Sequence, residues 1–336
     1  MRAHALVDID VATARGLEIG PLARPIVTKA AGSVFYVDHA TREELRRKYA
    51  NDVNMAPLID HIVEVDYVLK EGFTLIDVAG PDGPYDYVIA CHVIEHIPDV
   101  VSWLVDMADL LVPGGILSLV VPDKRYVFDV NRAETDISQV IDAYLNRLER
   151  PTVAQIYDFC ARTVNGMVDP AEAWAGKDYS GVVRGDCDDP DVSALGFCRS
   201  ALASTDFLDI HCHVFTPRSF LDIVEKLMRL GLFPFVISSF FPTAVDDIEF
   251  FVSLRRLTDA QMASPPLDLQ LESVAIARGR LPQDGPDASL MAVSTLERRI
   301  IDTKRRVMLA LRSSARQVGQ RYGWRGSGSS PAPSGR

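Results

Sequence analysis

The stretch Asp86–Asp99, which reads DYVIACHVIEHIPD, decides the fold of this chain. Its first half is a short apolar run typical of a buried strand, and its second half leads into a helix with Pro98 as the predicted first helical residue. Further along, Leu111–Pro122 reads LVPGGILSLVVP, in which a glycine pair ends a turn and a strand apolar on both faces follows at 116–121. Apolar strands alternating with helices predict a parallel sheet covered on both sides.

The same alternation extends outward from this stretch in both directions. The strand predicted at the start of this stretch is 85–91, and others are predicted at residues 17–20, 33–38, 61–66, 233–240 and 248–254. One helix at 41–50 begins with a capping box between Thr41 and Glu44. Another begins with Thr216 as N-cap and Pro217 as its first residue. A loop and the start of a helix are expected at 21–28.

Composition and charge exclude several classes of protein. Of the 336 residues, 48% are hydrophobic and 24% charged, which is ordinary for a globular protein. The net charge of −11 disfavours a general nucleic-acid binder, which needs a basic footprint. Residues 296–336 hold ten Lys/Arg and two Asp/Glu, a net of +8, so the remainder carries −19.

Cysteine usage and hydropathy bear on the compartment. The five cysteines are odd in number and form no CxxC pair, which favours a reducing environment and disfavours a structural zinc site. The N-terminus lacks the apolar region of a signal peptide, and no apolar run approaches the roughly 20 residues of a membrane span. We therefore expect a cytoplasmic protein.

Acidic side chains and a glycine mark the predicted carboxyl edge of the sheet. Gly20 follows the first strand, Asp38 ends the second, and Asp66 ends the predicted third. Doubly wound sheets bind ligands at this edge, where the strand order reverses. A carboxylate there can accept bonds from both hydroxyls of a ribose, and Glu18 adds negative charge suited to a cationic ligand. Helix-capping or solvated roles are the alternative for the two aspartates.

This arrangement resembles the class I S-adenosylmethionine-dependent methyltransferases over roughly residues 16–123. The resemblance implies an α/β, Rossmann-like fold with a mostly parallel, doubly wound seven-stranded sheet and a helical insertion between strand 5 and the following helix. It also implies S-adenosylmethionine as cofactor and S-adenosylhomocysteine as product. The implied cofactor contacts are Glu18, Gly20 and Pro21 in the first motif, Asp38 at the ribose, Asp66 at the adenine, and Cys91 and His92 at the methionine part.

The first loop departs from the family pattern. It reads GPLARP at 20–25, so Leu22 and Arg24 stand where further glycines are usual. A bacterial subgroup that accompanies surface-polysaccharide glycosyltransferases has a similar GPxxRP loop and an IPDKR motif, which here is VPDKR at 121–125. This likeness implies a sugar hydroxyl as methyl acceptor. An acid about 20 residues past the first motif also fits an NAD site, but the absence of GxGxxG disfavours that alternative.

The resemblance also divides the chain into parts. The boundaries are 1–122 for the first part of the core, 123–209 for an acceptor-binding or lid insertion, 210–258 for the rest of the core, 259–295 for a linker, 296–325 for a basic helix and 326–336 for a disordered tail. An insertion of this length inside a compact fold is usually functional. The basic helix suits a solvated or coiled-coil arm, an anionic membrane surface or a partner helix.

Two histidine clusters are candidates for proton transfer. His92, Glu95 and His96 follow the fourth strand, where they either act on a hydroxyl or only fix the loop. The segment at 209–215 reads DIHCHVF, and an extended backbone would place Asp209, His211 and His213 on one face. That set suits a base oriented by an acid, an acceptor contact, a metal site or a purely structural role.

From these alternatives the sequence yields one set of expectations. Catalytic roles are expected for His96, His211 and His213, acceptor contacts for Lys124, Arg125 and Asp209, and no metal. The expected activity is O-methylation of a sugar hydroxyl in a surface glycan or its precursor. The alternative is a catalytically inactive scaffold or regulatory module in a glycan-assembly complex. Expected partners are a small-molecule or glycan acceptor, a membrane surface or helix contacting 296–325, and a second copy in a homodimer, with no nucleic acid.

Overall fold

The computed structural model of the chain describes residues 2–52, 55–70, 72–164, 168–180, 182, 189–205 and 208–282. Nearly all of them belong to one compact unit, Met1–Leu281. The predicted basic helix at 296–325, the tail at 326–336 and the end of the predicted linker lie outside the described residues. No helix within the described ranges is both long enough and apolar enough to span a membrane.

Seven strands form a single sheet. They are β1 (Arg15–Ile19), β2 (Ser33–Asp38), β3 (Tyr67–Val68), β4 (Tyr85–Cys91), β5 (Leu111–Pro122), β6 (Phe235–Phe241) and β7 (Glu249–Arg256). The order across the sheet is β3-β2-β1-β4-β5-β7-β6, with β7 antiparallel to both of its neighbours and all other pairs parallel. This confirms the predicted mostly parallel, doubly wound sheet. The order reverses between β1 and β4, so that pair is the switch point where a ligand site is expected.

Eleven α-helices lie within the described residues. They are α1 (Arg2–Ala5), α2 (Arg42–Lys48), α3 (Leu75–Ala79), α4 (Val100–Leu110), α5 (Ile137–Asn146), α6 (Val153–Arg162), α7 (Pro170–Trp174), α8 (Pro190–Leu202), α9 (Pro217–Arg229), α10 (Asp259–Ala263) and α11 (Leu267–Arg278). The predicted capping box of Thr41 and Glu44 begins α2. Thr216 caps α9, with Pro217 as its first residue. Both local predictions are confirmed, since each depends only on residues within one turn.

The sheet is buried on both faces. In β4 the run from Tyr87 to Ala90 is at most 1% exposed, which is why the strand shows no alternation of polar and apolar residues. One face packs on α4, α9 and α11 through the larger apolar cluster. The other face is covered by α1 and by the loop after β1, which contributes Ile26 and Val27.

The third strand was predicted at the wrong place. Residues 56–61 form a 3₁₀ helix with Pro57 in its first turn, and β3 is only Tyr67–Val68. Its pairing with β2 begins where Tyr67 lies opposite Val37. Asp66 therefore precedes the third strand instead of ending it, so the placement on which its adenine contact was predicted is wrong.

Two predicted helix starts also differ. Among the residues between β1 and β2, all of which are described, there are only turns and no helix. Pro21 and Pro25 lack the amide that a helix needs, and the amides of Ile26 and Val27 are bound by Glu18. The helix after β4 begins at Val100 rather than at Pro98, because Asp99 is its N-cap.

The predicted linker at 259–295 is wrong for its first part. Residues 259–281 contain α10 and α11, and α11 packs on α9 and β6. The buried Gln270 donates to the carbonyl oxygens of Phe233 and Phe235, at 2.8 and 2.9 Å. Arg278 forms ion pairs with α9. These polar contacts add to the packing of Val274 and Ala277 in the larger apolar cluster, and with so few buried apolar positions the helix has no clear apolar stripe.

The insertion at 123–209 contains α5 to α8 in its described residues. Helices α6 and α8 share a small apolar cluster with residues 210 and 212, separate from the two clusters of the sheet. Helix α5 instead packs on α4 through Val140. The insertion is therefore anchored to the core at one end and has an apolar centre of its own. Its role as an acceptor-binding region or lid stays a prediction.

Candidate functional site

The loop after β1 follows a backbone path that favours glycine. Gly20 has a φ of +65° and Leu22 a φ of +47°. The left-handed conformation costs about 1–2 kcal/mol for a residue with a Cβ. The Leu22 carbonyl accepts a hydrogen bond from the amide of Val63 at 2.9 Å. Pro21, which lies between Gly20 and Leu22, is buried. Strain of this kind concentrates at ligand sites. The loop thus makes its turn with leucine where the family pattern has glycine.

Glu18 fixes the far end of the same loop. Its side chain is 1% exposed, and its two carboxylate oxygens accept the amides of Ile26 at 2.6 Å and Val27 at 3.0 Å. Burial raises the pKa of Glu18 from 4.5 to about 7, although the two amide hydrogen bonds oppose the shift. Both oxygens serve the loop, so Glu18 shapes the cofactor site rather than reaching across it.

We expect Glu18→Gln to change how stability depends on pH. A carboxyl group with a raised pKa in the folded state stabilises below pH 4.5, and that contribution is lost as the pH rises through about 7. The difference between the two values corresponds to about 3 kcal/mol. Urea unfolding at pH 5 and pH 8 should therefore show the wild type losing stability relative to Glu18→Gln. The exposed Glu43→Gln is the control. If the wild type instead became more stable relative to Glu18→Gln as the pH rises, the two amide hydrogen bonds would have a larger effect on the pKa of Glu18 than burial has.

Asp38 ends β2 as predicted and is 8% exposed. Its Oδ1 accepts the amide of His39 at 2.8 Å and lies 2.7 Å from the Nδ1 of the same residue. Both contacts are made by Oδ1 of Asp38, and neither uses its Oδ2. The neighbouring loop is tied to this strand, since the Gly20 amide donates to the Val37 carbonyl at 2.9 Å. Asp38 and Gly20 thus meet at the switch-point edge, as the sequence predicted.

Asp66 has other partners. Its Oδ2 accepts the amide of Tyr36 at 2.8 Å, and its Oδ1 pairs with Lys29 Nζ at 2.6 Å. Tyr36 precedes the last two residues of β2, so these bonds lie toward the amino side of Asp38. The hydrogen bonds of Asp66 therefore join it to Tyr36 and Lys29 and not to another predicted cofactor residue.

The end of β4 holds a histidine in a strained conformation. His92 has a φ of +54°, and its Nε2 lies 2.8 Å from Glu249 Oε2. Its Nδ1 is 3.9 Å from Glu95 Oε1. Burial lowers the pKa of His92, but the bond to Glu249 and the charge of Glu95 outweigh burial and raise it. The adjacent Cys91 thiol stays protonated, because burial raises its pKa. His92 is one-third exposed and can accept a proton from a ligand.

His96 connects this strand end to the end of the insertion. Its Nδ1 lies 3.2 Å from Asp209 Oδ1, while Asp209 Oδ2 accepts Lys48 Nζ at 2.9 Å. The bond to His96 and the bond to Lys48 hold the pKa of Asp209 far below its usual range. Asp209, predicted to contact the acceptor, is thus an ionised partner of two basic side chains.

His211 is held by a second acid from the insertion. Its Nδ1 lies 2.5 Å from Asp129 Oδ2, and Asp129 Oδ1 accepts Arg132 Nη1 at 2.8 Å. The rings of His211 and His96 meet edge to face, with centroids 4.7 Å apart. The structure therefore brings together two of the three histidines predicted to be catalytic.

His213, the third predicted catalytic histidine, lies apart. It is 1% exposed, its Nε2 donates to the Pro98 carbonyl at 3.2 Å, and its amide donates to the Glu95 carbonyl at 3.0 Å. Burial lowers its pKa to about 4. The expectation that Asp209, His211 and His213 share a face is wrong, since residues 208–214 are not a strand and side chains need not alternate. A catalytic role for His213 stays a prediction that this packing does not favour.

Lys124 and Arg125, the other predicted acceptor contacts, follow β5 in a short 3₁₀ helix. Arg125 is held by the carboxylate of Asp123, with its closest bond at 2.7 Å. Lys124 Nζ donates to the Val130 carbonyl at 3.0 Å, which leaves this ammonium group further protons to donate. Of the two, Lys124 is the better placed to meet an anionic acceptor.

Sequence reasoning missed Glu249 and Asp129. Glu249 is a fully buried carboxylate at the start of an otherwise apolar strand, and that contrast was the available signal. Asp129 gave no signal, because it lies in an irregular part of the insertion, 82 residues from its histidine.

Comparison with known proteins gives a consistent family. The model described as a methyltransferase domain matches residues 5–183, just over half of the chain. No curated protein matches it. Similar solved structures include an S-adenosylmethionine-dependent methyltransferase from Mesorhizobium loti, at 16% identity over 73% of this chain and 92% of that chain, with a TM-score of 0.34. Magnesium protoporphyrin IX methyltransferase from Synechocystis, with bound S-adenosylhomocysteine, is 11% identical over 76% of this chain and 80% of that chain, with a TM-score of 0.33. A putative hemolysin from Streptococcus thermophilus is 14% identical over 83% and 71%, with a TM-score of 0.35.

Proposed function

The chain belongs to the methyltransferase-domain family, with S-adenosylmethionine as its cofactor, and from that premise we propose that it methylates a sugar hydroxyl in a surface glycan or its precursor. The supporting observation is that three histidines paired with carboxylates lie past the carboxyl end of β4. They are His92 with Glu249, His96 with Asp209, and His211 with Asp129. A hydroxyl has a high pKa and needs a proton acceptor in the transition state, which such pairs provide.

The residues of the switch point fit the cofactor. Gly20 lacks a Cβ at the turn, Glu18 fixes the loop, and the buried Asp38 carboxylate suits two ribose hydroxyls. When bound, S-adenosylmethionine supplies a methyl group on a sulfonium. The contact from Cys91 to its methionine part, predicted from the sequence, is included in this proposal, whereas the predicted cofactor contact of His92 is replaced by a role as base.

His92 is the proposed base in this site. Glu249 holds its Nε2, which leaves Nδ1 to accept the proton of an acceptor hydroxyl. The side chain of His92, which is one-third exposed, is reachable from solvent, whereas that of His213 is not. Lys124 is the proposed contact for an anionic group of the acceptor, such as the diphosphate of a nucleotide sugar.

A sugar as acceptor is supported by the GPLARP loop and the VPDKR motif, which resemble the bacterial surface-polysaccharide subgroup. The alternative of an inactive scaffold was motivated by the missing glycines of that loop. The positive φ of Leu22 supports the catalytic hypothesis, because it shows that the loop makes its turn without the missing glycines. Because S-adenosylmethionine is the cofactor, an NAD site is not needed to account for the acid that follows the first motif.

An acceptor screen tests this proposal. Purified protein is incubated with S-adenosylmethionine and three matched panels: neutral sugars and nucleotide sugars, amino sugars, and sugar acids. We expect S-adenosylhomocysteine release and a product heavier by one methylene, with the new methyl group on a hydroxyl oxygen in every panel that reacts, because all three panels offer hydroxyls. Methylation of amines or carboxylates alone would contradict hydroxyl specificity. Cofactor binding without turnover on any glycan would favour the scaffold.

A further inference from the structure

Glu95, His96 and His211 each offer one metal-ligand atom, and these atoms all lie within 4.8 Å of one another. We propose that this trio binds a divalent transition-metal ion. The sequence suggested Asp209, His211 and His213 as the set to consider, and the expectation was no metal. The fold replaces two members of that set, because His213 packs on Pro98 while His96 turns toward His211.

The environment of Glu95 is the first independent observation. Its side chain is 1% exposed, and neither carboxylate oxygen has a hydrogen-bond partner among the described residues. The nearest basic group is His92 Nδ1 at 3.9 Å, which is beyond hydrogen-bond distance. A buried carboxylate without a compensating group is strongly destabilising. A bound cation would remove that cost.

The orientation of the two histidines is the second observation. Asp129 holds Nδ1 of His211, so Nε2 is the nitrogen of that ring available to a metal. Asp209 lies 3.2 Å from Nδ1 of His96. Metal-binding histidines usually have their other nitrogen fixed by a carboxylate, as Asp129 fixes His211; Nδ1 of His96 lies near its acid but makes no hydrogen bond with the described residues.

Glu95 differs from Asp129 and Asp209 in the charged side chains that lie next to it. Asp129 is paired with Arg132 at 2.8 Å, and Asp209 with Lys48 at 2.9 Å. Each orienting acid therefore already has a cation from the protein. Glu95, in contrast, has no lysine or arginine partner among the described residues, and its ion-pair contact there is His92 at 3.9 Å.

The donor set indicates the class of metal. Two imidazoles and one carboxylate suit zinc, manganese or iron(II), whereas magnesium and calcium prefer oxygen ligands throughout. Three protein ligands leave coordination positions open, which is the pattern of catalytic rather than structural zinc sites. The His96 side chain is 27% exposed, so the point is reachable from solvent. The inference rests on this geometry and holds whichever group is methylated.

Metal titration tests the site directly. Tag-free full-length protein is stripped with a chelator, dialysed and titrated calorimetrically with Zn²⁺ and with Mn²⁺, and the visible spectrum of its Co²⁺ form is recorded. We expect one equivalent of metal to bind. Glu95→Gln and His211→Asn should each bind it at least about a hundredfold more weakly, because loss of an orienting partner alone costs about 10–100-fold. His61→Asn, which changes an exposed histidine of the 3₁₀ helix, should bind like wild type.

Far-ultraviolet circular dichroism and a cooperative urea-unfolding transition provide the folding control for each variant, and S-adenosylhomocysteine is titrated separately. The partly exposed His96→Asn replaces either buried variant that fails to fold. The proposal is overturned if stripped wild type binds no metal, or if the trio variants bind metal as tightly as wild type. Loss of S-adenosylhomocysteine binding in Glu95→Gln, with no metal bound by wild type, would assign Glu95 to the ammonium group of the cofactor instead. Metal binding without sugar methylation would leave this inference intact and contradict only the proposed acceptor.

Discussion

Replacing Asp38 with alanine is expected to weaken the binding of S-adenosylhomocysteine about a hundredfold. The side chain is buried at the carboxyl end of β2, beside the loop that begins at Gly20. An ionised carboxylate bound to two ribose hydroxyls makes charge-assisted hydrogen bonds worth about 1.5–3 kcal/mol each. Loss of about 2.7 kcal/mol corresponds to a hundredfold change in Kd.

Calorimetric titration of Asp38→Ala against wild type measures this effect. Asp86→Ala is the matched control, because Asp86 binds the amide of Arg15 at the opposite, amino-terminal edge of the same sheet. That variant should keep wild-type affinity within a few-fold. Similar affinity in Asp38→Ala and wild type, with both proteins folded, would remove Asp38 from the cofactor site and place the ribose elsewhere along the switch point.

Replacing His92 with asparagine is expected to lower kcat by about a hundredfold or more, which is the usual contribution of a general base. Asparagine is chosen because it tolerates the positive φ of this position better than other side chains. The loss therefore reports on the imidazole rather than on the backbone. The affinity for S-adenosylhomocysteine should change by only a few-fold, which separates a defect in chemistry from one in cofactor binding.

Two further variants sharpen this second prediction. Glu249→Gln keeps a hydrogen-bond acceptor for His92 but removes the charge, so we expect a smaller loss of kcat with cofactor affinity retained. His61→Asn should be as active as wild type. Wild-type turnover by His92→Asn would show that the proton leaves by another route, and His96 and His211 would then be tested in the same assay.

Much of the fold was predictable because its signals are local. β2 and β4 match their predicted bounds, and the caps of α2 and α9 lie where short-range hydrogen bonds require them. The errors fall where neighbours in space override the local pattern. β3 is two residues long because it pairs only with the last two residues of β2, Val37 and Asp38. Helix α11 was missed because few of its apolar side chains are buried and polar side chains make several of its contacts with the core.

The sequence by itself determined the alternation of strands and helices and the residues at the ends of β1, β2 and β4. It could do so because hydrophobic periodicity and capping depend on residues within a few positions of one another. Only the tertiary structure decided which acids meet which histidines. Glu249 reaches His92 across 157 residues, and Asp129 reaches His211 across 82. Such pairs depend on strand order and on how the insertion returns to the core, and no local pattern encodes them. For the same reason only the fold shows that Glu95 lies buried without a partner among the described residues, beside two oriented histidines.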